Sequence, residues 1–486
     1  MRGTMSTRPE TARDVADFLR DLRPGNPFER AARIGIVGGS RAGKSVLLTS
    51  LLDHLRHFDV RRFRLTDNGL FQKNSLDLRD FAEEPLPEPP ARFPYEAFRA
   101  QLTEAAAWPR KTRDAYQIRV RMSVNAGPFG LRVPLLLTFL DFPGERFADA
   151  AMAGRSFSEW SDTMERTLLA SAAHGKAVAA FRKARIDPDA TAESVARSYK
   201  RLLAAMIADY RVLISPSAFA LGPEGDSPPR GLDPETLAAQ RLCGLDAERP
   251  FAPLDNVEQR RHPEIARVYS ENYDAYRREL VEPLFAALKR CDRIAFLANI
   301  PEILQSGVGA LNDTADLLQN VLAGCFADSN LITRSARALG NRVLPLLLRE
   351  DWRPGGVRRV ALAATQADRI HPSDTDRLKH LLRELAAPVL RNAGASARIE
   401  LFTCAAVRAT ESHDDRLRGI PAGEAGAAPE DRHPHDYDVS RLPPAWPDDW
   451  DPAEYSFEDV LPRLSPNRRR PPAQAGLDTL FQFLLP

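Results

Sequence analysis

Gly38-Gly39-Ser40-Arg41-Ala42-Gly43-Lys44-Ser45 reads G-x-x-x-x-G-K-S. Its glycines let the backbone wrap closely around phosphate oxygens, with successive N–H groups turned inward. Lys44 brings a cation to the β- and γ-phosphates, and Ser45 brings a hydroxyl to Mg²⁺. The N-terminus of a following helix adds the positive end of its dipole. This chemistry needs a strand before the loop and a helix after it. Ile34-Gly35-Ile36-Val37 is a short apolar strand pattern, and Val46, Leu47, Leu51, Leu52 and Leu55 recur at helical spacing. The expectation is a nucleotide phosphate site running from Gly38 through Val46.

A second chemical segment follows the apolar run at 135–140. It is Asp141-Phe142-Pro143-Gly144-Glu145. An acid at the end of a buried strand beside a phosphate loop can hold Mg²⁺ through water. The glycine of D-x-x-G offers an N–H to the γ-phosphate, a contact that hydrolysis removes and that can therefore drive a switch. D-x-x-G alone is an ordinary turn; its place in the chain gives it weight. Further on, Thr365-Gln366-Ala367-Asp368 closes a strand pattern at 358–364. An Asp at this place can accept the N1–H and N2–H of guanine, a donor pair that adenine lacks, which favours GTP over ATP. The tetrapeptide resembles the base-reading motif of Ras-like GTPases, with Thr365 for the usual Asn and Gln366 for the usual Lys, as in Rho-type members. A polar turn with Asp368 as a helix cap is the other reading. Cys404-Ala405-Ala406 follows the next strand pattern and resembles the short loop whose backbone supports the guanine O6. All four segments fall at strand ends, in the order expected of a GTPase sheet.

Two residues bear on turnover. Ras-like enzymes follow D-x-x-G with a glutamine that orients water; this chain has Glu145. A carboxylate there is repelled by the γ-phosphate yet can take a proton from water, so slow hydrolysis needing a partner is expected. A Glu145 that caps the following helix and points away is the alternative. Arg41 inside the phosphate loop can act as an arginine finger in cis or salt-bridge outward, and the outward arrangement is preferred. Arg146 and Arg408 are further arginine candidates.

Composition limits the remaining classes. The chain has 486 residues, 43% hydrophobic and 27% charged, with 67 Lys+Arg against 66 Asp+Glu. A formal charge of +1 gives no electrostatic reason to expect nucleic acid or an anionic membrane. Cys243, Cys291, Cys325 and Cys404 are scattered, as small apolar residues of a reducing compartment would be. No histidine set has zinc spacing; His433-Pro434-His435 lies in a polar loop without cysteines. Residues 1–10 carry no apolar signal core. The longest apolar run, 133–140, falls far short of the ~20 residues of a membrane helix. A cytoplasmic protein is expected, with peripheral membrane association through a partner left open.

The elements that must position these residues follow from periodicity. A short amphipathic helix is expected over 11–22. After the phosphate-loop helix comes an irregular stretch with Pro85, Pro87, Pro89, Pro90 and Pro94. Ile118, Val120, Met122 and Val124 alternate with polar residues as in a half-exposed edge strand. Long helical patterns at 161–182, 191–213 and 263–290 read as a helical insertion over 145–292, broken by a Pro/Gly-rich loop. The α/β rhythm then resumes: strands at 293–299, 358–364 and 399–403, helices at 309–326, 333–350 and 374–394. An extended loop is expected over 411–472, and Leu477, Leu480, Phe481 and Leu484 form a closing helix. The fold class is α/β: a Ras-like P-loop NTPase sheet with a large helical insertion, divided at 11–144, 145–292 and 293–486.

The strings "GGSRAGKS", "AAWPRKT", "LDFPGE", "ISPSAFALGP", "LAATQAD" and "AAVRAT" together resemble the bacterial YcjX family, across most of the chain. The resemblance implies a GTPase domain with a helical insertion and a stress-associated role. It supports glutamate at position 145. It also offers Thr112, just before the 118–124 strand, as the switch hydroxyl that completes Mg²⁺ coordination, with Thr66 and Thr103 as competitors. Asn299 departs from the Asp usual in the family at that strand end. The function expected is a GTP/GDP-binding switch with Mg²⁺ that hydrolyses GTP slowly and engages a protein effector through residues 150–290, a region without an evident cluster of acid, base and nucleophile. The alternatives are a P-loop ATPase and a nucleotide-bound scaffold. Against the ATPase, Phe142 stands where many ATPases carry a glutamate after the aspartate.

Overall fold

Residues of the strand Asn26–Gly38 (β1) alternate between two apolar clusters: Ala32, Ile34 and Ile36 join one and Val37 the other. The same alternation marks Arg293–Ala298 (β5), where Ala295 and Leu297 face one cluster and Ile294, Phe296 and Ala298 the other. A strand with apolar side chains on both faces must be covered on both faces. The computed structural model describes residues 22–23, 26–66, 77–86, 90–109, 114–126, 131–167, 174–208, 214–221, 233–326, 357–392, 397–413, 415–464 and 467–486. The helices expected at 333–350 and, apart from Leu22, at 11–22 lie outside these residues, as does Thr112. Leu22 belongs instead to the short strand Leu22–Arg23, antiparallel to β1.

The main sheet adds Asp77–Glu84 (β2), Tyr116–Ala126 (β3), Leu131–Asp141 (β4), Arg359–Ala364 (β6) and Arg398–Thr403 (β7), in the order β2-β3-β4-β1-β5-β6-β7. β4, β1, β5, β6 and β7 are mutually parallel, and β3 runs antiparallel to both neighbours. This is a mixed α/β fold with a parallel-rich sheet and many helices. One face is covered by Lys44–Arg56 (α1), Tyr95–Thr103 (α2) and the closing helix Leu477–Leu484, whose Leu480 and Phe481 pack with Leu47, Leu51 and Phe139.

On the other face the chain leaves β4, passes through the 3₁₀ segment Gly144–Met152, and enters a run of helices ending in the long rod Pro263–Tyr276, Arg277–Val281 and Glu282–Lys289. Trp160, Phe251 and Tyr273 form its aromatic centre, with ring centroids 5.4–5.7 Å apart. Phe142, Phe147 and Phe285 connect this centre to Ile294 of β5 in one continuous apolar cluster. Val308–Phe326 and Thr375–Asn392 complete that face.

Two expectations are corrected. β3 is not an edge strand: Ile118, Val120, Met122 and Val124 are all buried, and β2 lies outside it. Its polar face is satisfied by protein, with Arg121 paired to Glu29 and Glu84, and Gln117 Nε2 donating to Pro90 O at 2.7 Å. β2 escaped detection because Asp77, Asp80, Glu83 and Glu84 mask its periodicity, and a register shift lies between Arg79 and Ala82. The 411–472 segment is also more than a loop. Glu411–His413, Arg416–Pro421, His435–Tyr437 and Val460–Leu461 make a four-stranded antiparallel sheet, so His435 sits in a strand. Arg369 ties this segment to the main sheet by donating to the carbonyls of Phe457 and Glu458, at 3.0 and 3.1 Å.

Candidate nucleotide site

Parallel pairing places the C-terminal ends of β1, β4, β5, β6 and β7 along one edge, where ligands of such sheets bind. The 38–45 loop leaves β1 at this edge. Gly43 caps α1 in the left-handed region, φ 81°, where an L side chain is strained. Lys44 Nζ donates to the carbonyls of Gly38 and Gly39 at 3.0 and 2.8 Å.

Ser45 Oγ donates to Asp141 Oδ2 at 2.8 Å. Register explains the meeting: Asp141 pairs with Ile36, two residues before the loop begins. Asp141 is fully buried, and its Oδ1 has no hydrogen-bond partner among the described residues. Burial pushes its carboxyl up to about 6, against the opposing pull of the Lys44 charge and the Ser45 hydroxyl. A buried carboxylate with an unused oxygen beside a hydroxyl is a set of hard oxygen donors that fits Mg²⁺.

Gly144 is seated directly on the loop: a Cβ there would lie 1.9 Å from Gly38 O. Only glycine permits this approach. Glu145 follows at 2% exposure, at the start of the 3₁₀ segment.

The remaining strand ends brace the loop. Asn299, after β5, donates from Nδ2 to Arg41 O at 3.2 Å and accepts Glu302 N–H on Oδ1 at 3.3 Å, capping Ile300–Ser306. Gln366, after β6, donates to the same Arg41 carbonyl at 3.1 Å. The Arg41 guanidinium itself is half-exposed and lies 3.5 Å from Glu302 Oε1, facing out of the loop. Thr365 Oγ1 donates to Ala298 O at 3.3 Å. Asp368 Oδ2 accepts the N–H groups of Ala409 and Thr410 at 2.7 and 3.2 Å, and the Thr410 hydroxyl donates to the Asp368 carbonyl. Burial pushes the Asp368 carboxyl up while these amides hold it down. Cys404 is buried between Ala364 O, which its N–H reaches at 2.8 Å, and Ala367 N–H. Ala405 exchanges both backbone hydrogen bonds with Ala475, and Ser50 Oγ donates to Ala406 O at 2.6 Å.

Sequence reasoning missed three features. The loop-bracing role of Asn299 was announced only by an Asn at a strand end before Ile-Pro-Glu, an N-cap pattern. The 472–476 strap that holds the 404–406 loop gave no signal. The third is a buried polar knot. Asp149 Oδ1 accepts from Ser215 Oγ and Ser217 N–H, both at 2.9 Å, and Oδ2 accepts from the Tyr276 hydroxyl at 2.8 Å. Arg146 reaches Ser217 Oγ and Tyr276 Oη at 3.3 and 3.4 Å. Three segments distant in sequence, around Asp149, Ser215 and Tyr276, meet here. Asp149, Ser215, Ser217 and Tyr276 are all buried, so the knot is a tie between the 3₁₀ segment and the helices. Glu165, Asp255 and Glu258 form the one acidic cluster of ligating geometry among the described residues. Arg185 sits within it, 2.5 Å from Glu165 and 3.0 Å from Glu258, and supplies its positive charge.

Residues 32–486 match the YcjX-like family, DUF463, and the chain belongs to that family. Among solved structures, the signal recognition particle receptor SRb-GTP/SRX complex from Chaetomium thermophilum is similar over 79% of this chain and 95% of that chain, at 12% identity and a TM-score of 0.26. A likeness that weak has no bearing on function. No helix among the described residues is long and apolar enough to cross a membrane.

Proposed function

We propose that the protein binds GTP and GDP with Mg²⁺ at this sheet edge, hydrolyses GTP slowly and acts as a nucleotide-dependent switch. The observation that carries the reading is the convergence of Lys44, Ser45, Asp141 and Gly144, with Ser45 Oγ 2.8 Å from a buried Asp141 carboxylate and Gly144 against Gly38. The β3-β4-β1-β5-β6-β7 order with β3 antiparallel is the arrangement expected of a Ras-like P-loop NTPase sheet, here interrupted over 145–292 by the helical insertion. The proposed division is 11–144 and 293–486 for the nucleotide domain.

In this reading Lys44 exchanges the Gly38 and Gly39 carbonyls for β/γ-phosphate oxygens, a charge-assisted contact no neighbour replaces. Ser45 and Asp141 hold Mg²⁺, with Thr112 as the third candidate ligand. When bound, Mg²⁺ neutralises phosphate charge. Asp368 reads guanine, its orientation fixed by the Ala409 and Thr410 amides. Buried Glu145 in place of glutamine supports slow turnover. The Asp149 knot ties the segment after Gly144 to the helices, which supports the insertion as the effector surface.

The test is to denature purified protein and identify the nucleotide released. Guanine nucleotide in wild type, and no measurable GDP affinity in Lys44→Ala by calorimetry, are expected. Unchanged affinity in that variant, or ATP competing as well as GTP in wild type, overturns the proposal.

A further inference from the structure

The near-neutral charge of the whole chain conceals a local surplus at the far end of α1. Thirteen residues of helix put this end about 20 Å from the phosphate loop. Arg61, Arg62 and Arg64 lie on the turn that follows α1, and Arg468, Arg469 and Arg470 on the strap before the closing helix; all six are exposed. The two segments are far apart in sequence and fastened together in space. Gln474 Nε2 donates to Arg62 O at 3.2 Å, Arg64 N–H donates to Asp478 Oδ2 at 3.2 Å, and His54 Nε2 lies 3.0 Å from Pro472 O. The strap's own turn is fixed by Asn467, which accepts the N–H groups of Arg469 and Arg470.

Nearby acids do not balance these charges. Asp59 stands 4.0 Å from Arg62, and Asp478, whose carboxylate accepts the Arg64 N–H, is the second acid of the patch, two against six arginines. Glu96 is paired to Arg56, and Asp53 to Arg99 and His57. Among the described residues, no ion pair engages Arg61, Arg64, Arg468, Arg469 or Arg470. Val60, within the same turn, is 42% exposed, one of three large hydrophobic residues so exposed among the described residues, none of them aromatic.

We propose that this patch is a docking surface for an anionic lipid bilayer. Guanidinium groups are weakly hydrated and bind phosphate bidentately, and an exposed aliphatic residue among them can enter the headgroup layer. The alternative polyanion, single-stranded nucleic acid, is held by exposed aromatic side chains that stack on bases, whereas the aromatic rings of this turn, Phe58 and Phe63, pack against the core. Sequence-specific duplex readout uses a helix or ribbon in a groove, whereas these arginines stand on two turns; phosphate-only duplex binding is distinguished by the double-stranded arm of the test. The proposal is independent of the nucleotide reading.

The experiment is sedimentation of the full chain with unilamellar vesicles, either phosphatidylcholine alone or phosphatidylcholine with phosphatidylserine, and in parallel with single- and double-stranded oligonucleotides. Binding to the anionic vesicles alone, weakened by salt, is expected. Each arginine near such a surface contributes roughly a fivefold factor. The triple variant Arg468→Gln, Arg469→Gln, Arg470→Gln should therefore lose at least tenfold in binding, and so should Arg61→Gln, Arg62→Gln, Arg64→Gln. The Arg→Lys triples should retain most of it. Circular dichroism identical to wild type verifies that the variants fold. Equal binding to neutral vesicles, binding to oligonucleotides without vesicles, no binding at all, or full binding by both folded glutamine triples overturns the proposal.

Discussion

Asp141 illustrates how one residue couples folding to ligand chemistry. Its carboxyl is raised from 3.8 to about 6 by burial, so the native state holds a proton that the unfolded chain has released. Protein without nucleotide should lose stability as pH rises from about 4 to about 6, by about 1–3 kcal/mol, and level off above. Thermal melting of Asp141→Asn should lack this slope. Binding of Mg²⁺ with nucleotide should run the other way, gaining affinity as pH rises through about 6, because the proton competes with the cation. Asn299 gives a second test at this scale. An aspartate could keep the helix cap but could not donate to Arg41 O, and its charge would face a carbonyl. Asn299→Asp should weaken GDP binding by about five- to tenfold in calorimetry, in line with a lost buried hydrogen bond. Unchanged affinity would show that the Gln366 donor alone suffices to brace the Arg41 carbonyl.

At the scale of elements, the 3₁₀ segment Gly144–Met152 has the decisive position. One end is seated on the phosphate loop through Gly144, and the other is tied into the helices through Asp149. Gly144→Ala must push the two elements apart, since its Cβ would fall 1.9 Å from Gly38 O. The expected cost is about 1–3 kcal/mol, seen as a lower melting temperature, together with weaker discrimination between GTP analogue and GDP. A variant as stable as wild type would show that Gly144 is not packed on the loop.

For the whole molecule, the question is whether nucleotide state reaches the helices. The insertion shares one apolar cluster with the sheet, so a displacement at Gly144 meets no soft boundary. Tyr276 holds the tie from the far rod through its hydroxyl, which contacts Asp149, Ser217 and the Ala218 N–H. Tyr276→Phe should cost about 1–3 kcal/mol by leaving these groups short of a partner. In hydrogen exchange, it should also shrink the difference between GTP-analogue and GDP states over 150–167 and 263–289. A difference as large as in wild type would separate the knot from signalling.

What the sequence determined by itself is local and chemical. The 38–45 loop, Asp141 with Gly144, and the strand-end placement of 365–368 and 404–406 were legible because each depends on a short run of residue types beside a strong periodic pattern. The helices around Val195, Tyr269 and Leu381 were legible for the same reason. β2 and the small sheet within 411–472 were not, because charged and proline-rich strands are stabilised by pairing with distant partners and carry little periodicity of their own. The tertiary structure alone decided the rest. It turned Arg41 outward to Glu302, gave Gln366 and Asn299 a common carbonyl to hold, and closed the Asp149 knot from residues up to 130 apart. It also gathered six arginines from two distant segments into one patch. Such contacts depend on register and chain crossing, and no window of sequence contains both partners.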